Sequence, residues 1–101
     1  MELAGHSMAM SKREQNYRTR YGISLSDYDD IWAAQAGTCA ICGATSGQPG
    51  RPGSLLFVDH DHATGAVRGL LCRPCNSGLG MFQDDPQNLA RAAIYLKYGA
   101  V

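Results

Sequence analysis

Two Cys-x-x-Cys pairs, Cys39/Cys42 and Cys72/Cys75, stand 29 residues apart in a chain of 101. A two-residue gap lets one tight turn direct both sulfurs the same way, and two such turns complete a tetrahedron around zinc with Zn–S bonds of about 2.3 Å. Four thiolates leave no open coordination position, so the expected ion is structural: its binding energy supports folding and it cannot activate water. A disulfide framework is disfavoured because nothing at the N-terminus looks like an export signal. Thioredoxin-type redox chemistry would leave one pair unexplained, and no βαβ pattern surrounds either pair.

Size explains why a metal staple matters. A domain of this length buries only roughly 60–70% of the surface its unfolded chain exposes, which makes packing alone marginal. The same length excludes a multidomain enzyme with separate cofactor and substrate lobes. Hydrophobic residues make up 45% and charged residues 18%, the balance of a globular chain rather than a disordered one. No apolar run approaches the ~18 residues of a membrane span, so a soluble, cytoplasmic protein with no membrane partner is expected. Nine basic and nine acidic side chains cancel, and any affinity for nucleic acid must therefore come from local patches. Residues 1–10, with methionines at Met1, Met8 and Met10, read as a vector-derived or disordered segment, leaving 11–101 as a single domain.

The most basic stretch, Ser11 to Arg20, sets Lys12, Arg13, Arg18 and Arg20 against Glu14 and is compatible with a helix. Ser26-Asp27-Tyr28-Asp29 predicts a second helix with Ser26 at its N-cap, continuing through Ile31, Trp32, Ala34 and Gln35 and stopping near Gly37. Five glycines and prolines between Ala44 and Ser54 predict a mobile loop. Leu55–His60 and Ala66–Leu71, joined by Ala63-Thr64-Gly65, predict a β-hairpin with histidines near its bend. A helix is expected over Asn76–Gln83, running on from the second cysteine pair. Asp85 at the N-cap and Pro86 at the first position open a final helix with Leu89, Ala92, Ala93 and Leu96 on one face and Gly99 beyond its end. Trp32 and Phe57 are expected in the core.

Asp59-His60-Asp61-His62 ends the first predicted strand. Regular alternation places the histidines on one face and the acids on the other unless a bend intervenes. By itself the run also fits a polar hairpin tip whose acids cap amides and whose imidazoles are solvated. Its neighbours change the balance. Val58-Asp59-His60-Asp61-His62, then Val67-Arg68-Gly69-Leu70-Leu71-Cys72-x-x-Cys75-Asn76, with Cys39-x-x-Cys42 upstream, resembles the phage recombination endonuclease VII family, a zinc-bearing branch of the HNH, or ββα-metal (His-Me finger), nucleases. The resemblance covers roughly residues 21–80.

It implies a small zinc-stabilised α+β fold of the ββα-metal type with flanking helices, in which a hairpin and a helix grip one catalytic divalent cation. Phosphodiester hydrolysis needs a hard cation to neutralise developing charge and an activated water for in-line attack. By resemblance, Asp59 and the Asn76 side-chain oxygen hold Mg²⁺ or Mn²⁺, and His60 is the general base. His62 contacts the phosphate or leaving group, or packs beside His60; Asp61 has no assigned role. Contacts to DNA phosphates are expected from Arg51, Arg68 and Arg73 near the site and from Lys12, Arg13, Arg18 and Arg20 on the first helix, although each also reads as an ordinary solvated charge.

Two departures stand out. Positions 63–75 contain no asparagine, so the resemblance is to the endonuclease VII branch and not to HNH enzymes at large. Leu79 stands where the best-known junction-cleaving member carries an acid, which makes cleavage of branched DNA a subordinate expectation. The alternative functions are a noncatalytic zinc-finger module that binds nucleic acid and a structural interaction domain. The joint presence of Asp59, His60 and Asn76 favours the nuclease, since a binding finger requires none of them. Whether the chain pairs with itself or with a phage protein is open.

Overall fold

The computed structural model describes residues 10–100, so the proposed N-terminal scar lies, Met10 apart, outside the described residues. The architecture is α+β. In order come α1 (Lys12–Tyr21), α2 (Leu25–Ala34), β1 (Phe57–His60), β2 (Val67–Leu71), α3 (Arg73–Met81) and α4 (Pro86–Tyr98). No helix among the described residues is long and apolar enough to cross a membrane.

Both N-terminal helices are delimited by their caps. The Ser11 hydroxyl accepts the Glu14 N–H at 3.1 Å, and Gly22, at φ 70°, closes α1 by donating to the carbonyls of Arg18 and Tyr17. The next helix starts at Ser24, not at Ser26 as the sequence pattern predicted. Ser24 accepts the Asp27 N–H at 3.0 Å while the Asp27 carboxylate accepts the Ser24 N–H at 2.9 Å. Those two hydrogen bonds hold the Asp27 carboxyl below its ordinary value. The Ser24 start leaves Tyr28 facing inward, where it is buried and donates its hydroxyl to the Leu56 carbonyl at 2.7 Å. Burial is the main reason that its phenol is pushed up to about 12.

The core is small: Tyr28, Leu56, Val58, Leu70 and Leu71 pack with the side chains of Cys39 and Cys72. Helix α1 joins it through an aromatic layer. Tyr17 stacks on Tyr28 with ring centroids 5.3 Å apart, and the Arg13 guanidinium lies 4.7 Å from the Tyr28 centroid. Trp32, expected inside, is 48% exposed. Tyr28 and Ile31 occupy the core-facing positions of α2, and the indole lies instead over the turn at Gly37, where an added Cβ would come within 2.8 Å of the ring. Phe57 is only half-buried, at the edge of the hairpin.

The hairpin pairs Phe57 with Leu71, Val58 with Leu70 and Asp59 with Gly69, then His60 with Val67. Arg68 is the extra residue of the resulting bulge. Beyond it, Asp61 holds the turn: its carboxylate accepts the Ala63 N–H at 2.7 Å and the Thr64 N–H at 3.2 Å, which keeps that carboxyl below its ordinary value. The sequence had left Asp61 unassigned, and its hydrogen bonds account for it.

Other expectations change as well. The glycine- and proline-rich loop is tied down: Gly47 donates to the Ser54 carbonyl at 2.8 Å and accepts the Arg73 N–H at 2.7 Å. Helix α3 begins at Arg73 rather than Asn76, because Cys72 serves as its N-cap with extended backbone and Pro74 fits its first turn. The predicted apolar face of α4 does not reach the core, and Leu96 is 84% exposed.

Among the described glycines, Gly47 tolerates a side chain least. A Cβ there would sit 1.8 Å from the Leu55 carbonyl oxygen, whereas one at Gly78 on α3 meets nothing within 4 Å. Gly47→Ala is expected to destabilise the zinc-loaded protein by about 1–3 kcal/mol, and Gly78→Ala to stabilise it by about 0.5–1 kcal/mol through reduced chain entropy. Urea unfolding of both variants checks the pair of opposite signs.

Candidate metal centre and catalytic face

The first cysteine pair sits on a tight turn after α2. Gly43, at φ 78°, donates to the Cys39 carbonyl at 3.1 Å, Cys39 donates to the Ala44 carbonyl at 2.8 Å, and the Ile41 N–H points at the Cys39 sulfur at 3.4 Å. The second pair straddles the start of α3. Cys72 ends the strand side as N-cap and Cys75 lies in the first helical turn.

Side-chain and backbone pairing brings the two turns together. The Ala40 N–H donates to the Leu70 carbonyl at 3.1 Å. Gln35 presents its amide to Leu70 as a strand would, donating to the Leu70 carbonyl at 2.9 Å and accepting the Leu70 N–H at 2.9 Å. The same amide nitrogen donates to the Thr38 carbonyl at 2.8 Å. Gln35 therefore clamps the first cysteine turn to the strand that leads into the second. Gly69 leaves room for it, since a Cβ there would lie 3.0 Å from the Gln35 side-chain oxygen.

All four sulfurs lie within 4.8 Å of one another, with Cys42 and Cys72 at 3.5 Å. A tetrahedron with bonds of about 2.3 Å requires sulfurs about 3.8 Å apart, so the cluster can hold a zinc ion. Electrostatics agree. Burial opposes ionisation of Cys39, but the N–H groups of Cys42, Cys72 and Ile41 outweigh it and bring the thiol down to about 6. Burial, then the neighbouring thiols, push Cys75 up, and burial does the same to Cys72. One thiolate is favourable unaided; four in so small a volume require a cation.

The hairpin places the other candidate residues nearby. Asp59 is only 8% exposed, and both of its oxygens are taken by Arg68: Nε donates to Oδ2 at 2.8 Å and Nη2 to Oδ1 at 3.1 Å. Nη2 also donates to Asp84 Oδ2 at 3.2 Å. The Asp59 carboxylate, and after it Asp84, hold the guanidinium well above its ordinary value. Next to Asp59, where the register shifts, the His60 ring lies 4.9 Å from His62 and 5.4 Å from Tyr21, centroid to centroid. Asn76, in the first turn of α3, lines a cleft with Gln48, Phe57, Arg73 and Ser77. Phe57 and Asp59, two residues apart, share the strand face that α3 packs against. Asp59 shares its own cleft with Arg68 and Leu79. Asp59 and Asn76 thus line separate clefts on packed elements, and a carboxylate and an amide oxygen are both donor types that a hard, oxygen-seeking ion accepts.

The basic residues fall into two groups. Arg13 is engaged internally, donating to the Tyr17 hydroxyl at 3.0 Å, Arg18 pairs with Glu14 at 3.2 Å, and Arg51 donates to Gln48 at 3.0 Å. Lys12 and Arg20 line the groove between α1 and the segment entering β1, while Arg73 borders the Asn76 cleft. Sequence reasoning overlooked Gln35 and Asp84. Neither carries a local signal: one acts across 35 positions, and the other depends on left-handed backbone at Gln83 and Asp84.

Residues 14–98, including both cysteine pairs, the hairpin, α3 and α4, match the family described as recombination endonuclease VII. The chain belongs to that family. It is 46% identical to the Gene 59 protein of Mycobacterium phage D29 over 78 residues, which is 76% of this chain and 45% of that protein. The Gene 59 protein of Mycobacterium phage L5 is 46% identical over 77 residues, 75% of this chain and 44% of that protein. The chain thus spans less than half the length of these relatives. No solved structure matches it significantly.

If four thiolates close one site, metal analysis of the purified chain should find about one tightly held zinc. Cys72→Ser should unfold the protein, because Cys72 is at once core residue, helix cap and ligand. An intact fold free of zinc would overturn the assignment.

Proposed function

We propose that the protein is a metal-dependent DNA endonuclease that hydrolyses phosphodiester bonds. Asp59 and Asn76 hold one Mg²⁺ or Mn²⁺ in a ββα-metal (His-Me finger) arrangement, and His60 acts as general base. The observation that carries this reading is the chain order at the site in a member of the recombination endonuclease VII family. Asp59 and His60 stand side by side at the hairpin bulge, and the returning strand runs through Cys72 into the helix that presents Asn76.

Each residue has a chemical task that its surroundings suit. The bound ion would supply positive charge to the scissile phosphate. His60 accepts the proton of the attacking water through an imidazole nitrogen, imidazole being the side chain suited to proton transfer near neutral pH. Tyr21 against His60 limits the ring's movement. His62, whose ring lies tilted against that of His60, would contact a phosphate oxygen or the leaving group. Lys12, Arg20 and Arg73 are the basic residues best placed to contact the DNA backbone, since Arg13, Arg18, Arg51 and Arg68 have partners within the protein. On this reading the enzyme works on DNA in the cytoplasm of a phage-infected bacterium, with branched DNA one substrate to test.

A noncatalytic zinc-finger reading is favoured by one observation: Arg68 already occupies both Asp59 oxygens. The two readings separate cleanly in a cleavage assay. His60→Ala should fold, bind DNA with the salt dependence of phosphate contacts and lose about 10²-fold or more in cleavage rate. Mild EDTA should abolish cleavage without unfolding the protein, and Mg²⁺ or Mn²⁺ should restore it, except in Asp59→Ala or Asn76→Ala. Supercoiled, linear and branched DNA serve as substrates; binding without nicking under any divalent ion would hand the site to the zinc-finger reading.

A further inference from the structure

The charge arrangement around Arg68 reaches beyond the assignment of a metal ligand. Asp59 is nearly buried, and a lone carboxylate there would be costly, so the bidentate guanidinium serves as its counter-ion. Yet the same Nη2 is divided between Asp59 and Asp84. Asp84 does not arrive there by default. It follows α3 through two successive non-glycine residues in left-handed backbone, Gln83 at φ 56° and Asp84 at φ 55°, a conformation that persists only when the surroundings enforce it. Arg68 is itself the bulge residue of β2, freed from the regular ladder, with its side chain 37% exposed. On its other side it borders a cleft of about 370 Å³ shared with His62 and Asp84. A cation on a bulge, bonded at once to Asp59 and Asp84, keeps one acid as partner when it is pushed from the other.

Resting on the nuclease reading, we infer that Arg68 is a positioning residue whose grip on Asp59 sets the affinity of the site for a divalent ion, and that Asp84 is the partner to which the guanidinium is ceded when that ion binds. In the ion-free protein, Arg68 neutralises Asp59 and keeps its rotamer. A divalent ion at Asp59 repels the guanidinium, and Asp84 accepts it without a change of fold. Asp84 thereby lowers the resistance that Arg68 offers to the metal.

Manganese binding measured by titration calorimetry on the zinc-loaded protein reads this directly. Arg68→Ala should bind Mn²⁺ about tenfold or more tightly than the unmodified chain, the scale expected for removing one unit charge a few ångströms from a divalent ion. Asp84→Asn, which leaves the core untouched, should weaken Mn²⁺ binding by about threefold to tenfold, because the guanidinium then settles wholly on Asp59. In the Arg68→Ala background the Asp84→Asn loss should shrink to about twofold or less, since there is nothing left to cede. Should Arg68→Ala fold poorly, Arg68→Lys, which cannot make the bidentate grip, is expected to bind Mn²⁺ more tightly than the unmodified chain. A loss of equal size in both backgrounds would make Asp84 a charge acting directly on the ion and overturn the exchange. Unchanged affinity in Arg68→Ala, beside Mn²⁺ binding that requires Asp59, would refute this inference alone. No Mn²⁺ binding by the unmodified chain or by any Arg68 variant would remove the nuclease reading as well.

Discussion

Convergence of four sulfurs at the point where β2 becomes α3 is the constraint on which the rest of this molecule depends. The hydrophobic core is too small to fix the orientation of a helix by packing alone, and two of its buried side chains are themselves cysteines. Cys72 ends the strand, caps the helix and joins the cluster, so a zinc ion there sets the direction in which α3 leaves the sheet. Asn76 follows Cys75 immediately. Its rotational position on the helix is thus set by the same sulfurs, one residue away, and not by the mobility of a surface helix. Gln35 completes the linkage from the other side by pairing its amide with the backbone of Leu70, two residues before Cys72. Structural metal and candidate catalytic face are in this sense one mechanical unit, even though a closed thiolate site performs no chemistry itself.

How far the sequence could be read depends on whether a signal is local. The cysteine pairs, the hairpin and the Asp85-Pro86 helix start are local patterns, and the structure has all three where the spacing implied. The helix start at Ser24 was misplaced by two residues because Ser24/Asp27 and Ser26/Asp29 offer the same capping chemistry. Only the distant Leu56 carbonyl, which takes the Tyr28 hydroxyl, separates them. Trp32 was misread for a related reason: a helical pattern shows that a face is apolar but not which of its residues meets the core and which lies at its edge. The glycine-rich loop shows the converse limit. Its composition reads as freedom, whereas Gly47 is needed because the Leu55 carbonyl passes so close to it. The roles proposed for Asp59, His60 and Asn76 rest on family resemblance, and the geometry beside them adds what no motif conveys, namely the partners of each charge.

Those partners alter the meaning of the acidic and basic residues. By composition the chain is neutral, and by motif Arg68 looked like one more phosphate contact. In the structure most arginines near the site are already engaged, with Tyr17, Glu14, Gln48 or Asp59. Among the described residues, Lys12, Arg20 and Arg73, like Arg91 and Lys97 on α4, pair with no acid. A strongly positive surface would bind DNA avidly at any position and for any length of time. A neutral one with a few such cations, divided between the α1 groove and the Asn76 cleft, would bind more weakly, and on the nuclease reading would gain its transition-state stabilisation at the scissile phosphate rather than along the backbone. For so small a domain this is the more effective distribution. Backbone contacts raise affinity for substrate and product alike, whereas on the proposed reading the charge exposed when an ion displaces Arg68 from Asp59 would act at the scissile phosphate.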